Sequence, residues 1–184
     1  SGQDVDYGPV VTAAAKQNIL NLVQTGVDQG ATLVVDGRDF NLQGYEDGFF
    51  VGPHLFDNVT PDMDIYTKEI FGPVLCTVRA GNYEEALGLA MDHEYGNGTA
   101  IFTRDGDAAR DFANRINVGM VGINVPIPVP LAYHTFGGWK KSVFGDLNQH
   151  GPDAFKFYTR TKTVTARWPS GIKQGGEFNF KAMD

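Results

Sequence analysis

The chain has 184 residues, 42% hydrophobic and 20% charged, which excludes a disordered polypeptide and fits one sizeable core or two small domains. Its 15 Lys and Arg against 22 Asp and Glu leave a net charge of −7, which argues against a nucleic-acid surface, because that surface needs clustered cations. One cysteine excludes an intrachain disulfide, and no apolar run approaches the roughly 20 residues that span a bilayer, so no nucleic acid and no membrane is expected as a partner.

Residues 1–6 carry neither the basic nor the apolar region of a signal peptide, which makes a cytoplasmic setting the default expectation. Thr12 reads as a helix N-cap. Ala15, Ile19, Leu22, Val23 and Val27 follow at helical spacing, and Gly30 stops the run. Leu33-Val34-Val35 reads as a short buried strand closed by Asp36-Gly37. Residues 44–48 are a turn-rich loop. Residues 49–56 are apolar and aromatic and read as a second strand, with Pro53 marking an edge or a break. Residues 61–66 read as a loop or a short helix.

The middle is more regular. Residues 74–78 form a strand. Asn82 caps a helix, with Glu85 as capping-box partner, and Ala86, Leu87, Ala90 and Met91 give its apolar face. Gly96-Asn97-Gly98 breaks the chain before a strand over residues 99–103. Asp105 caps a further helix on which Ala109, Phe112, Ala113 and Ile116 share a face. Residues 119–125 form a third strand. Strands and helices alternating at this interval predict an α/β fold whose parallel sheet is covered on both faces.

From Pro126 the pattern changes. Pro126, Pro128 and Pro130 remove backbone donors, which predicts an extended loop. His134-Thr135-Phe136-Gly137-Gly138-Trp139-Lys140 mixes aromatics with flexible glycines, in the kind of loop where open α/β folds build sites. Farther on, Thr163, Thr165 and Arg167 alternate with Val164, Ala166 and Trp168 in strand fashion. The stretch after Pro169, with Gly171, Gly175 and Gly176, reads as a surface arm.

Several residues are candidates for chemistry. Glu69 fits either a solvated side chain or an acceptor for ribose hydroxyls. Phe71 fits either a core position or a contact with a flat ring, and Gly72-Pro73 turns the backbone sharply beside both. Cys76 sits among strand residues and reads as a small buried side chain, not a reactive thiolate. His54, His93, His134 and His150 show no metal-ligand spacing, and His93-Glu94 lacks the second His of a zinc-protease helix. Asp105, Asp107 and Asp111 lack the closing Glu of a calcium loop, so no metal is expected. His134 fits a substrate-facing and a surface role equally. There is no G-x-G-x-x-G, no P-loop and no G-x-S-x-G elbow.

Four segments occur here in an order that resembles the aldehyde dehydrogenases. They are Tyr7-Gly8-Pro9-Val10, Glu69-Ile70-Phe71-Gly72-Pro73-Val74, Phe136-Gly137-Gly138-Trp139-Lys140 and Thr161-Lys162-Thr163-Val164-Thr165. Residues 119–130, with Phe144-Gly145-Asp146-Leu147-Asn148-Gln149-His150-Gly151 and Arg167-Trp168-Pro169, narrow the likeness to the methylmalonate-semialdehyde dehydrogenase branch. That branch oxidises methylmalonate or malonate semialdehyde with NAD and CoA to propionyl-CoA or acetyl-CoA.

The resemblance implies that residues 1–158 are the C-terminal part of a parallel-sheet catalytic domain. Residues 159–184 would then be an oligomerisation strand with a C-terminal arm. It implies that Glu69 holds the nicotinamide ribose and Phe71 packs near the nicotinamide. Phe136 would line the aldehyde tunnel, with His134 beside it. Residues 161–168 would join subunits into a homo-oligomer. The resemblance also implies that the nucleophilic Cys, the general-base Glu and the NAD domain lie upstream, so no catalytic residue is expected in this chain and the polypeptide alone should be inactive. A parent in a eukaryote would sit in the mitochondrial matrix. A non-acylating aldehyde dehydrogenase fragment and a non-catalytic assembly module remain open alternatives.

Overall fold

A computed structural model describes residues 6–168. The glycine-rich stretch after Pro169 lies outside them. The described residues divide into two units, one of residues 6–129 with 137–144 and another of residues 130–136 with 145–168.

The first unit begins with α1, Ala13–Asp28. Thr12 is extended and its Oγ1 accepts the Ala15 amide at 3.1 Å, satisfying one of the free donors of the first turn. At the other end Gly30 has φ +95°, and the Ala31 amide returns to the Gly26 carbonyl at 3.0 Å. That bond closes the helix in the way a left-handed glycine allows. Ile19 and Val23 turn inward from α1. A side chain on Gly26 would meet Ile65, so α1 lies tight against α2, Asp64–Thr67.

The first sheet has the order β1-β2-β3, made of Thr32–Val35, His54–Asp57 and Val74–Cys76. β1 and β2 are antiparallel, whereas β2 and β3 are parallel with His54 opposite Val74. β2 begins directly after Pro53, where the chain can again donate to a ladder. Phe56 on β2 is fully buried and packs with Ile19, Val23, Val59, Met63 and Ile65. The expected burial of β1 is corrected: Val34 and Val35 are exposed. β1 is an edge strand and only Leu33 packs against the core. Beyond the sheet, Arg79 grips Asp57 through two hydrogen bonds and holds its carboxyl down to about 2.

A second core follows. α3, Tyr83–Asp92, is capped by Asn82, and α4, Gly106–Arg115, by Asp105, each through the side-chain oxygen. Leu87, Phe112, Ile116 and Val118 form the buried cluster. α4 connects β5, Gly98–Ile101, to β6, Met120–Ile123, and these two strands are parallel with Gly98 opposite Met120.

The expectation of one parallel sheet through residues 74–125 is corrected. β5 and β6 pair, but β3 ladders with β2 instead. The Thr77 amide donates to Phe56 and the Thr77 carbonyl accepts from Val59, so the backbone beyond β3 is also taken on that side. A cavity of about 640 Å³ lined by Cys76, Val78, Ala86, Thr99 and Val118 lies beside them.

Four short elements were not foreseen. β4, Tyr95–Gly96, pairs antiparallel with β7, Trp139–Lys140, inside the stretches read as a chain break and a flexible loop. The second unit contains a 3₁₀ turn, Gly151–Asp153, and α5, Ala154–Tyr158. The strand expected over residues 161–168 is not formed, and each of those residues is exposed. A strand needs a partner ladder for its backbone groups, and the strands described in this chain pair among themselves.

Candidate functional site

Glu69 and Phe71 stand on the link between α2 and β3. Exposure alternates along it: Glu69 and Phe71 point outward, Phe71 being 82% exposed, while Ile70 packs against the first core. Gly72 sits so close to α1 that a Cβ there would lie 2.5 Å from Ile19 Cδ1. The Gly72 amide donates to Ile70 and the Val74 amide to Gly72, both at 2.8 Å, so the link is folded into consecutive tight turns. The inward residues fix the backbone and the outward ones are free to meet a ligand.

Glu69 lines an open pocket of about 500 Å³ together with Lys68, His93, Tyr95, Asn97 and Lys141. That volume lies in the range of small-molecule pockets. β4 and β7 bring its far wall into place. The Lys141 ammonium pairs with Glu94, which raises the Lys141 pKa, while Lys140 Nζ donates to the Met91 carbonyl at 2.6 Å and the His93 carbonyl at 3.0 Å. Those carbonyls are free acceptors at the end of α3, where a cation is favourable. The Gly96 amide donates to Ser142 Oγ at 3.0 Å. Sequence reasoning missed Lys141, Ser142 and Tyr95 as pocket residues. Only the β4–β7 pairing brings them here, and a two-residue strand leaves no periodicity to read.

Cys76 is half-buried on β3. Its thiol donates weakly to the Ile65 carbonyl at 3.7 Å, and burial pushes its pKa up. Both effects disfavour a thiolate. His54 is buried with both ring nitrogens unpartnered, and Nε2 lies 3.8 Å from Asp36 Oδ1. Burial lowers its pKa and keeps the imidazole neutral. It belongs to the first core and not to the Glu69 pocket. Among the described residues no group of His, Cys, Asp or Glu is arranged to hold a metal, and no helix is long and apolar enough to cross a membrane.

His134 and Phe136 belong to the second unit, whereas Glu69 and Phe71 belong to the first. His134 is exposed, with its ring 4.7 Å from that of Tyr133. Phe136 is half-buried and its ring centroid is 4.2 Å from that of His150. The Gly151 amide donates to the Ala132 carbonyl, tying the same two stretches.

The model of the aldehyde dehydrogenase family matches residues 1–164. The chain is 58% identical over 180 residues to a malonate-semialdehyde dehydrogenase of Pseudomonas aeruginosa, covering 97% of this chain and 36% of that protein. It is 51% identical over 168 residues to an acylating, mitochondrial methylmalonate-semialdehyde dehydrogenase of Arabidopsis thaliana, covering 91% and 28%. Its fold matches a Sinorhizobium meliloti protein crystallised with NAD and provisionally named a methylmalonate-semialdehyde dehydrogenase. The TM-score there is 0.87 and the identity 73%, over 94% of this chain and 35% of that one. The chain thus spans about a third of the length of the curated relatives it matches.

Proposed function

The chain belongs to the aldehyde dehydrogenase family, and from that premise we propose that it is the C-terminal part of the catalytic domain of an NAD-dependent, CoA-acylating dehydrogenase of methylmalonate or malonate semialdehyde. The observation that carries this reading is the Glu69–Phe71 link, whose inward residues are pinned and whose outward residues border a pocket. Glu69 accepts hydrogen bonds from the nicotinamide ribose, and Phe71 offers an exposed ring face to the nicotinamide. NAD, when bound, supplies the hydride acceptor. The acylating relatives favour CoA as the acceptor of the acyl group over a free-acid product.

The pocket fits this assignment by its size and by the acceptor at its rim. The apolar cavity beside β3 and β5 also supports a chain that is part of something larger: it is lined like an interior yet opens to solvent. In the second unit, Phe136 lines the aldehyde's approach and His134 faces the substrate. The parent acts in the cytoplasm, or in the mitochondrial matrix if it is eukaryotic.

In the full-length protein that contains this chain, Glu69→Gln should raise the KM for NAD about tenfold or more, because a charge-assisted acceptor becomes a neutral one. Steady-state kinetics at varied NAD check this, and an unchanged KM overturns the assignment.

Residues 161–168 are proposed as the segment that joins subunits. Val164 and Trp168 are exposed at 76% and 90%, so the segment offers apolar side chains to another chain. Light scattering of the polypeptide should find dimers or larger species, and a compact monomer at high concentration contradicts the proposal.

A further inference from the structure

His93 ends α3 and lies between the two walls of the Glu69 pocket. Its ring touches both. Nε2 is 3.3 Å from the Tyr66 carbonyl, on α2 just ahead of Glu69. Nδ1 accepts the Tyr95 amide at 3.2 Å, at the start of β4. The Tyr66 ring meets the imidazole edge-on with centroids 5.2 Å apart, and the Tyr95 ring lies 6.0 Å away. Tyr66 is held in turn, its hydroxyl donating to the Leu89 carbonyl at 3.1 Å.

These partners fix the protonation state. A carbonyl can only accept, so Nε2 carries a proton. A backbone amide can only donate, so Nδ1 carries none. The imidazole is therefore the neutral Nε2–H tautomer, and it joins the backbone at Tyr66 to the backbone at Tyr95 in the pocket wall. Lys140 Nζ also donates to the His93 carbonyl, which anchors the backbone that carries the ring.

We propose that His93 is a positioning residue: its imidazole couples the backbone at Tyr66 to the backbone at Tyr95 and so sets where Glu69 stands at its pocket. The coupling is independent of any ligand. Its consequence for NAD rests on the reading of Glu69 given above.

The test has three arms. Long-range proton–nitrogen NMR of the polypeptide should show His93 as the Nε2–H tautomer, and the Nδ1–H form overturns the proposal. Amide hydrogen exchange should be about tenfold faster at Tyr95 in His93→Leu than in the native chain, the loss expected for one backbone hydrogen bond. His93→Gln, whose amide has both a donor and an acceptor, should restore most of that protection. Equal exchange in all three proteins overturns the proposal even if the Leu variant is less stable. In the full-length protein, His93→Leu should raise the KM for NAD about tenfold with little change in kcat, and His93→Gln should stay near native. A kcat loss with unchanged KM overturns the positioning role. If Glu69→Gln leaves that KM unaltered while the exchange result holds, the cofactor reading falls and the coupling stands.

Discussion

Gly119→Ala should lower the melting temperature by about 6–12 °C. Gly119 lies just before β6, where the backbone of residues 137 and 138 crosses it. A Cβ on Gly119 would lie 1.8 Å from the Gly138 nitrogen, and one on Gly137 would lie 2.5 Å from the Gly119 carbonyl carbon. Both obstacles are backbone, so no rotamer change relieves them. Gly137 and Gly138 also adopt φ +65° and +107°, which few other residues tolerate. The crossing segment must move, and it carries β7, the Gly96–Ser142 bond and the Lys140 cap of α3. Forced backbone displacement in a packed region costs about 3 kcal/mol or more, which for a domain of this size is the stated shift. Circular dichroism against temperature checks it. Gly88→Ala is the control: nothing lies within 4 Å of a Cβ there, and Gly88 is inside α3, so Ala should hold or raise stability. A shift at Gly119 no larger than at Gly88 would refute the steric account.

The isolated polypeptide is expected to give no turnover with NAD, CoA and methylmalonate or malonate semialdehyde. Covalent aldehyde oxidation needs an accessible thiolate. Cys76 is the only cysteine. Its strand is laddered to β2, its sulfur is turned toward the Ile65 carbonyl, and burial raises its pKa. Each of these keeps the thiol protonated or shielded. The assay monitors NADH absorbance with the polypeptide at high concentration. Turnover that survives Cys76→Ser would point to a contaminant, whereas turnover abolished by that substitution would overturn the inert reading of Cys76.

The local parts of this fold were legible because they depend on neighbours in sequence. Thr12, Asn82 and Asp105 each cap the helix that their spacing predicted, since a cap needs only a side-chain oxygen and an amide two or three residues away. Glu85 was read as the capping-box partner of Asn82, and its carboxylate takes the Gly81 amide instead. The strand pairing was less legible. Residues 74–78 looked like the first strand of a continuing parallel sheet, but which strand they join is decided by the ladder with β2, a non-local choice. The β4–β7 pair was invisible for the same reason: Tyr95 and Lys140 are 45 positions apart and each strand is two residues long.

The site divides in a similar way. Glu69 and Phe71 were readable as a motif, and the structure adds why they project: Ile70 and Gly72 are held by the core. His93 was weighed only as a metal ligand, because its two backbone partners come from Tyr66 and Tyr95 and appear only after folding.

The two hydrophobic clusters have a consequence for biosynthesis. One is built from residues between Val10 and Val78, and the other from residues between Tyr83 and Val121. Neither borrows a side chain from the other's stretch. During translation the earlier cluster can therefore consolidate while the later one is still inside the ribosome, and a nascent chain need never expose both apolar surfaces together.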